Sequence, residues 1–128
     1  MTRTLDRARP VHKKPMASLI AIAALVACSG ALAELDRDYW GNLGSCAGLY
    51  HTGDSQNDIN GKARVKEKAR KERQSLEGDD AFMAGYLFGK MENLWITIIN
   101  NGRDYHPDEN YEAFRLHVIE QEGCRRIH

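Results

Sequence analysis

The chain has 128 residues, with 18 bases against 18 acids and 42% hydrophobic residues. That is enough for one small domain with a single core and too little for a multidomain architecture. No internal repeat, no low-complexity segment and no strand-like alternation interrupts it, so the expected class is all-α.

Residues 1–33 read as an export signal. Arg3, Arg7, Arg9, Lys13 and Lys14 stand against Asp6, and Met16 to Ala27 is an apolar or small run too short to span a bilayer comfortably. Ala31-Leu32-Ala33 is an A-x-A cleavage pattern and predicts a mature N-terminus at Glu34. A short N-terminal anchor helix is the bland alternative. A third reading overlaps the second half. Leu25-Val26-Ala27-Cys28 resembles a bacterial lipobox, in which Cys28 would be lipidated and hold the protein to the envelope. The expected location is periplasmic or secreted, or lipid-anchored if Cys28 is the modified residue. Without residues 1–33 the chain keeps 95 residues, 13 bases and 17 acids, hence a net charge of −4.

Asp36-Arg37-Asp38 opens a first helix, with either aspartate able to cap it. Tyr39, Leu43, Cys46 and Tyr50 recur at helical spacing and define a buried stripe, with Trp40 and Ala47 beside it. Gly41, Gly44 and Gly48 weaken this helix by about 1 kcal/mol each relative to alanine. Residues 51–58 read as a loop. Ile59 to Leu76 is a charged second helix in which Lys62, Arg64, Lys66, Lys68, Arg70, Lys71 and Arg73 face only Glu67 and Glu72. The segment is therefore +5 and the rest of the mature chain −9. Val65, Ala69 and Leu76 make a thin apolar stripe, which places this helix on the surface.

Asp79 to Asn100 reads as the central helix. Met83, Ala84, Leu87, Phe88, Met91, Leu94, Trp95, Ile98 and Ile99 fall on one arc of the wheel. Ala81, Gly85 and Gly89 make a small-residue strip on another side, where a neighbouring backbone is expected to lie. Asp79 and Asp80 suit the positive N-terminal end, and Asn100-Asn101-Gly102 are expected to end the helix. Pro107 opens a last helix with Asp108 and Glu109 in its first turn. Tyr111, Phe114, Val118 and Ile119 form its apolar side, broadened by Leu116, and Gly123 closes it.

Cys46 and Cys124 are the cysteines left after export, and two cysteines in an exported domain pair most simply as a disulfide. A redox pair would call for the C-x-x-C spacing that lowers a thiol pKa. His51, His106, His117 and His128 are scattered, and no H-x-x-x-H or H-E-x-x-H is present, so neither a metal nor a cofactor is expected. His51, Asp54 and Asp58 would meet around a metal only by chance of folding. No G-x-S-x-G, phosphate-binding glycine loop or telling carboxylate pair appears, which lowers an enzyme reading and favours binding.

The basic helix has three readings: a solvated face, a dock for an anionic protein face or lipid headgroups, and a nucleic-acid surface. Export and the lack of interleaved aromatics argue against the last. Membrane contact is expected only if Cys28 is lipidated.

The exported layout, with Trp40 to Cys46 early and Phe114 to Cys124 late, resembles small periplasmic immunity proteins of type VI secretion systems. That resemblance implies a short helical domain that binds and blocks a toxic effector enzyme, and it carries no site residue. The layout also resembles other small exported envelope proteins of Gram-negative bacteria. The expectation is one four-helix domain over residues 34–128, pinned by Cys46–Cys124 and acting by binding. A neutralised effector enzyme is the narrower alternative, and a small enzyme without a recognisable motif is the alternative from another class.

Overall fold

The computed structural model describes residues 34–128 of the protein. The signal segment, its cleavage pattern and Cys28 lie outside the described residues. Four helices follow one another: α1 Arg37–His51, α2 Gln56–Gln74, α3 Gly78–Tyr105 and α4 Tyr111–Gln121, with a short 3-10 turn at Cys124–Arg126. The described residues contain no strand, and the all-α expectation holds.

The helix at the centre is α1, not the stretch 79–100. Nine of the 15 residues of α1 are buried, against three of 28 in α3, namely Ala84, Ile99 and Gly102. Trp40, Leu43, Cys46, Ala47, Leu49 and Tyr50 form most of the core, joined by Val65 and Ala69 from α2 and by Val118 and Ile119 from α4. The physical reason lies in the glycines of α1. A Cβ at Gly44 would collide with the Phe88 carbonyl, and one at Gly48 with that of Glu92. Glycine there lets the α3 backbone settle directly on α1. What reads in the sequence as a helix weakness is the device that joins the two helices most closely.

Caps set the other boundaries. Asp36 accepts the Tyr39 amide at 3.0 Å and starts α1. Ser55 and Asp58 form a reciprocal capping box, so α2 begins at Gln56, three residues before its expected start at Ile59. Gly78, at φ +55°, turns the chain from α2 into α3 at a backbone angle that suits glycine. The Asn100-Asn101-Gly102 stop does not operate. Gly102 stays helical, and the Tyr111 ring packs against it where a Cβ would stand. The helix ends instead at Tyr105, just before Pro107, where the His106 amide donates to the Gly102 carbonyl at 2.8 Å. Residues 107–109 form a turn, and α4 starts at Tyr111 under an Asn110 cap that accepts the Ala113 amide at 2.9 Å. Gly123, at φ +69°, leads into the final turn.

The Cys46–Cys124 disulfide is present, with Cα atoms 5.5 Å apart and both residues fully buried. It ties α1 to the end of α4. Asn42 adds to this by donating to both the carbonyl and a carboxylate oxygen of Glu122, each at 3.0 Å.

Candidate functional site

Helices α2 and α3 each pack on α1 and touch one another little. A groove of about 530 Å³ therefore stays open between them. Its floor is Trp40 from α1, 4% exposed, with Ala69 of α2 and Phe88 of α3 beside it. One wall carries Lys66, Arg70 and Arg73, and the other Ala81 and Gly85. Lys66, Arg70 and Arg73 stand at i, i+4 and i+7, so they share one flank of α2. On α3, Phe82, Gly85, Tyr86 and Gly89 stand at i, i+3, i+4 and i+7 and share one face. Phe82 is 69% exposed and Tyr86 53%.

The small-residue strip therefore has a different neighbour from the one expected. Nothing lies within 4 Å of a Cβ built on Gly89, and at Gly85 the nearest atoms to such a Cβ belong to the guanidinium of Arg73. The nearest neighbour of the strip is a side chain rather than a backbone. Ala81 and Gly85 of the strip and the Lys66, Arg70 and Arg73 row of the basic helix, which look unrelated in the sequence, are the two walls of one groove.

The seven bases divide among four surroundings. Lys66 pairs with Glu92 at 3.1 Å, Arg70 lies bidentate on Glu67, and Arg73 donates from Nε to the Ala81 carbonyl at 2.8 Å. The Glu67–Arg70 contact holds the Glu67 carboxyl below its ordinary range and the Arg70 guanidinium above its own. On the opposite flank Lys68 pairs with Glu72 at 3.0 Å, and the Tyr39 hydroxyl donates to the same carboxylate at 2.6 Å. Burial and then that carboxylate push the Tyr39 phenol well above its ordinary value. Lys71 reaches Glu67 at 3.9 Å on the outer face. At the other end of α2, Lys62 Nζ lies 2.7 Å from His51 Nδ1, and Arg64 donates to the Ile127 carbonyl at 2.6 Å beneath the Tyr50 ring. The structure thus brings three of the seven to the groove and gives the other four different places.

A second polar cluster went unread in the sequence. Arg115 is 1% exposed in the middle of α4. Its guanidinium engages Asp58 at 2.8 and 3.0 Å, Glu112 at 3.0 and 2.7 Å, and the Leu49 carbonyl at 3.1 Å. All five N–H donors are engaged. Burial pushes the Asp58 carboxyl up, but hydrogen bonds from Arg115 and Ser55 outweigh it and hold the group below its usual range. Glu112 is held low chiefly by its hydrogen bonds from Arg115. The Arg115 guanidinium is itself raised, because the two carboxylates outweigh its desolvation. The cluster bonds to itself, joining the end of α1, the start of α2 and the middle of α4.

Asp58 is therefore a buried helix-start residue rather than a loop residue beside His51 and Asp54. His51, His106, His117 and His128 are exposed. Among the described residues no group of three or more histidine, cysteine, aspartate or glutamate side chains is placed to hold a metal ion. No helix among them is long and apolar enough to cross a membrane. No protein-family model, curated protein or solved structure matches the chain.

Proposed function

We propose that this is an exported, disulfide-pinned helical protein that acts by binding, with the α2–α3 groove as its binding surface. One observation carries the reading: the basic row of α2 and the small residues Ala81 and Gly85 of α3 border an open cleft with an apolar floor of Trp40, Ala69 and Phe88. Its volume of about 530 Å³ lies within the range of ligand clefts, which combine apolar linings with a few placed polar groups. The Glu67–Arg70 pair on the rim is exposed to solvent, so an incoming anion can exchange with it. The Arg115 cluster is already bonded inward and serves the fold. Export draws support from residues 1–33 and from a disulfide, which persists in oxidising compartments. The narrower form of the reading is an immunity protein whose groove takes a surface of a secreted effector.

Photocrosslinking in the native cell tests the surface. A photoreactive residue at Gln74, on the groove, is compared with one at Thr97, an exposed position elsewhere on α3. Adducts from position 74 that are absent at position 97 are expected. Equal yields from both, or none at 74, would remove the groove from the function. Intact mass of the same material decides the processing: a chain beginning at Glu34 is expected, and an acylated Cys28 would place the protein on a membrane instead.

A further inference from the structure

Taking the groove as the binding surface, we infer that its occupant is an acidic amphipathic helix of a partner protein. Both walls carry the spacing of a helix. Lys66, Arg70 and Arg73 run about 10 Å along α2, at 1.5 Å per residue. Carboxylates at i, i+4 and i+7 of a helix laid along the groove meet that row. An apolar flank on the same helix meets Phe88 in the groove floor and Phe82, which stands exposed next to Ala81. Anchors at these intervals are the mark of a helix held in a groove.

Glycine provides the close approach. Inside the fold, Gly44 and Gly48 of α1 admit α3 by removing the Cβ atoms that would strike the Phe88 and Glu92 carbonyls. Ala81 and Gly85 present the same four-residue interval on the groove wall of α3, and the space over Gly89, one turn further on, is open. A helix seated there can lie near the close end of the 8–10 Å spacing of packed helices.

Charge selects the sign. Glu67 holds Arg70 only through an exposed pair, Lys66 is half exposed while its partner Glu92 is largely buried, and the Arg73 guanidinium lies over Gly85 with its Nε on the Ala81 carbonyl. Partner carboxylates replace Glu67 and add to Lys66 and Arg73. A cationic helix would set like charges against all three bases. An acyl chain suits the site less well, because the cleft is open along its length and its deepest aromatic, Trp40, is only 4% exposed.

The test is selection of helical peptides of about 18 residues, displayed with all positions randomised, against the protein as the cell processes it. Enriched peptides are expected to carry Asp or Glu at i, i+4 and i+7 beside an apolar flank. One of them, labelled and followed by anisotropy, should lose at least 10-fold in affinity to R70E and to G89L. Its charge-reversed lysine version should not bind. Arg70 bonds only within α2 and Gly89 borders empty space, so both variants are expected to melt like the parent. Phosphatidylglycerol vesicles and sodium laurate are run beside the peptides. No enrichment, enrichment without the acidic spacing, or binding indifferent to both variants overturns the helix. If laurate or vesicles bind and R70E weakens that binding, the groove stands and the partner class is wrong. If no probe responds to either variant, the groove reading falls with it.

Discussion

Arg115 shows how much a single side chain can decide. It is a charged residue in the middle of a short helix, and the helical periodicity of α4 treats it as a break in the apolar face. In the fold it is the largest fully buried side chain. Removing one partner of a buried ion pair leaves the other charge without compensation and costs about 3–5 kcal/mol. Arg115→Met should therefore lower the denaturation midpoint strongly. The double variant Arg115→Met with Asp58→Asn should recover part of the loss, a coupling that a double-mutant cycle in urea measures. The pH dependence has a definite sign. Asp58 and Glu112 are depressed in the fold, so the unfolded chain takes up their protons first on acidification. Their stabilisation is fully present above the unfolded values of about 3.9 and 4.3 and is lost as pH falls through the lower folded values. Thermal melts should show little change from these groups between about pH 5 and 7 and a fall below about pH 4, with a shallower fall in the double variant.

At the scale of the elements, two sets of glycines have opposite consequences. Gly44 lies against the α3 backbone, so Gly44→Ala gains about 1 kcal/mol of helix propensity but must push two helices apart. Overpacking of that kind costs about 1–3 kcal/mol, and the net expectation is destabilisation by denaturant titration. Gly89 borders open space, so Gly89→Ala should stabilise by up to about 1 kcal/mol. Gly85→Leu, which a buried strip would not tolerate, has only the flexible end of Arg73 to displace. It should change stability far less than Gly44→Ala; equal losses would mean that a backbone does lie over the strip. The boundaries of α3 follow the same logic: Gly102, which looks like a stop, instead makes room for the Tyr111 ring inside the helix, and the helix ends at Tyr105, just before Pro107.

Across the whole domain, α4 is short and lightly packed, with Phe114 and Leu116 partly exposed. It is held to α1 by the Arg115–Leu49 contact at its middle and, about two and a half turns further on, by the Asn42–Glu122 hydrogen bonds and the Cys46–Cys124 bond. The disulfide closes a loop of sequence separation 78, for which chain entropy predicts about 4 kcal/mol. Cys46→Ser should cost several kcal/mol by chemical denaturation and release α4 first, as loss of hydrogen-exchange protection over residues 111–121. A variant that melts like the parent would show that the Arg115 cluster suffices. Loss of protection spread evenly over α1 to α3 would show that α4 does not open separately.

The helical class, the four elements, the apolar stripe of α1 and the disulfide partners were legible in the sequence because each depends on local periodicity or on a count that allows one pairing. Ser55-Gln56-Asn57-Asp58 was legible too, as a serine three residues before an acid, yet the polar run around it reads as a loop. Tertiary structure decided the rest. Which glycines admit a neighbouring helix depends on what faces them: Gly44 and Gly48 meet α3, whereas Gly85 borders the groove and Gly89 open space. Asp58 and Arg115 are 57 positions apart, and no local pattern pairs them. The groove belongs to neither of its walls. The basic row of α2 and the glycine face of α3 are separately visible in the chain, but they oppose one another only because both helices pack on α1 and leave the space between them open.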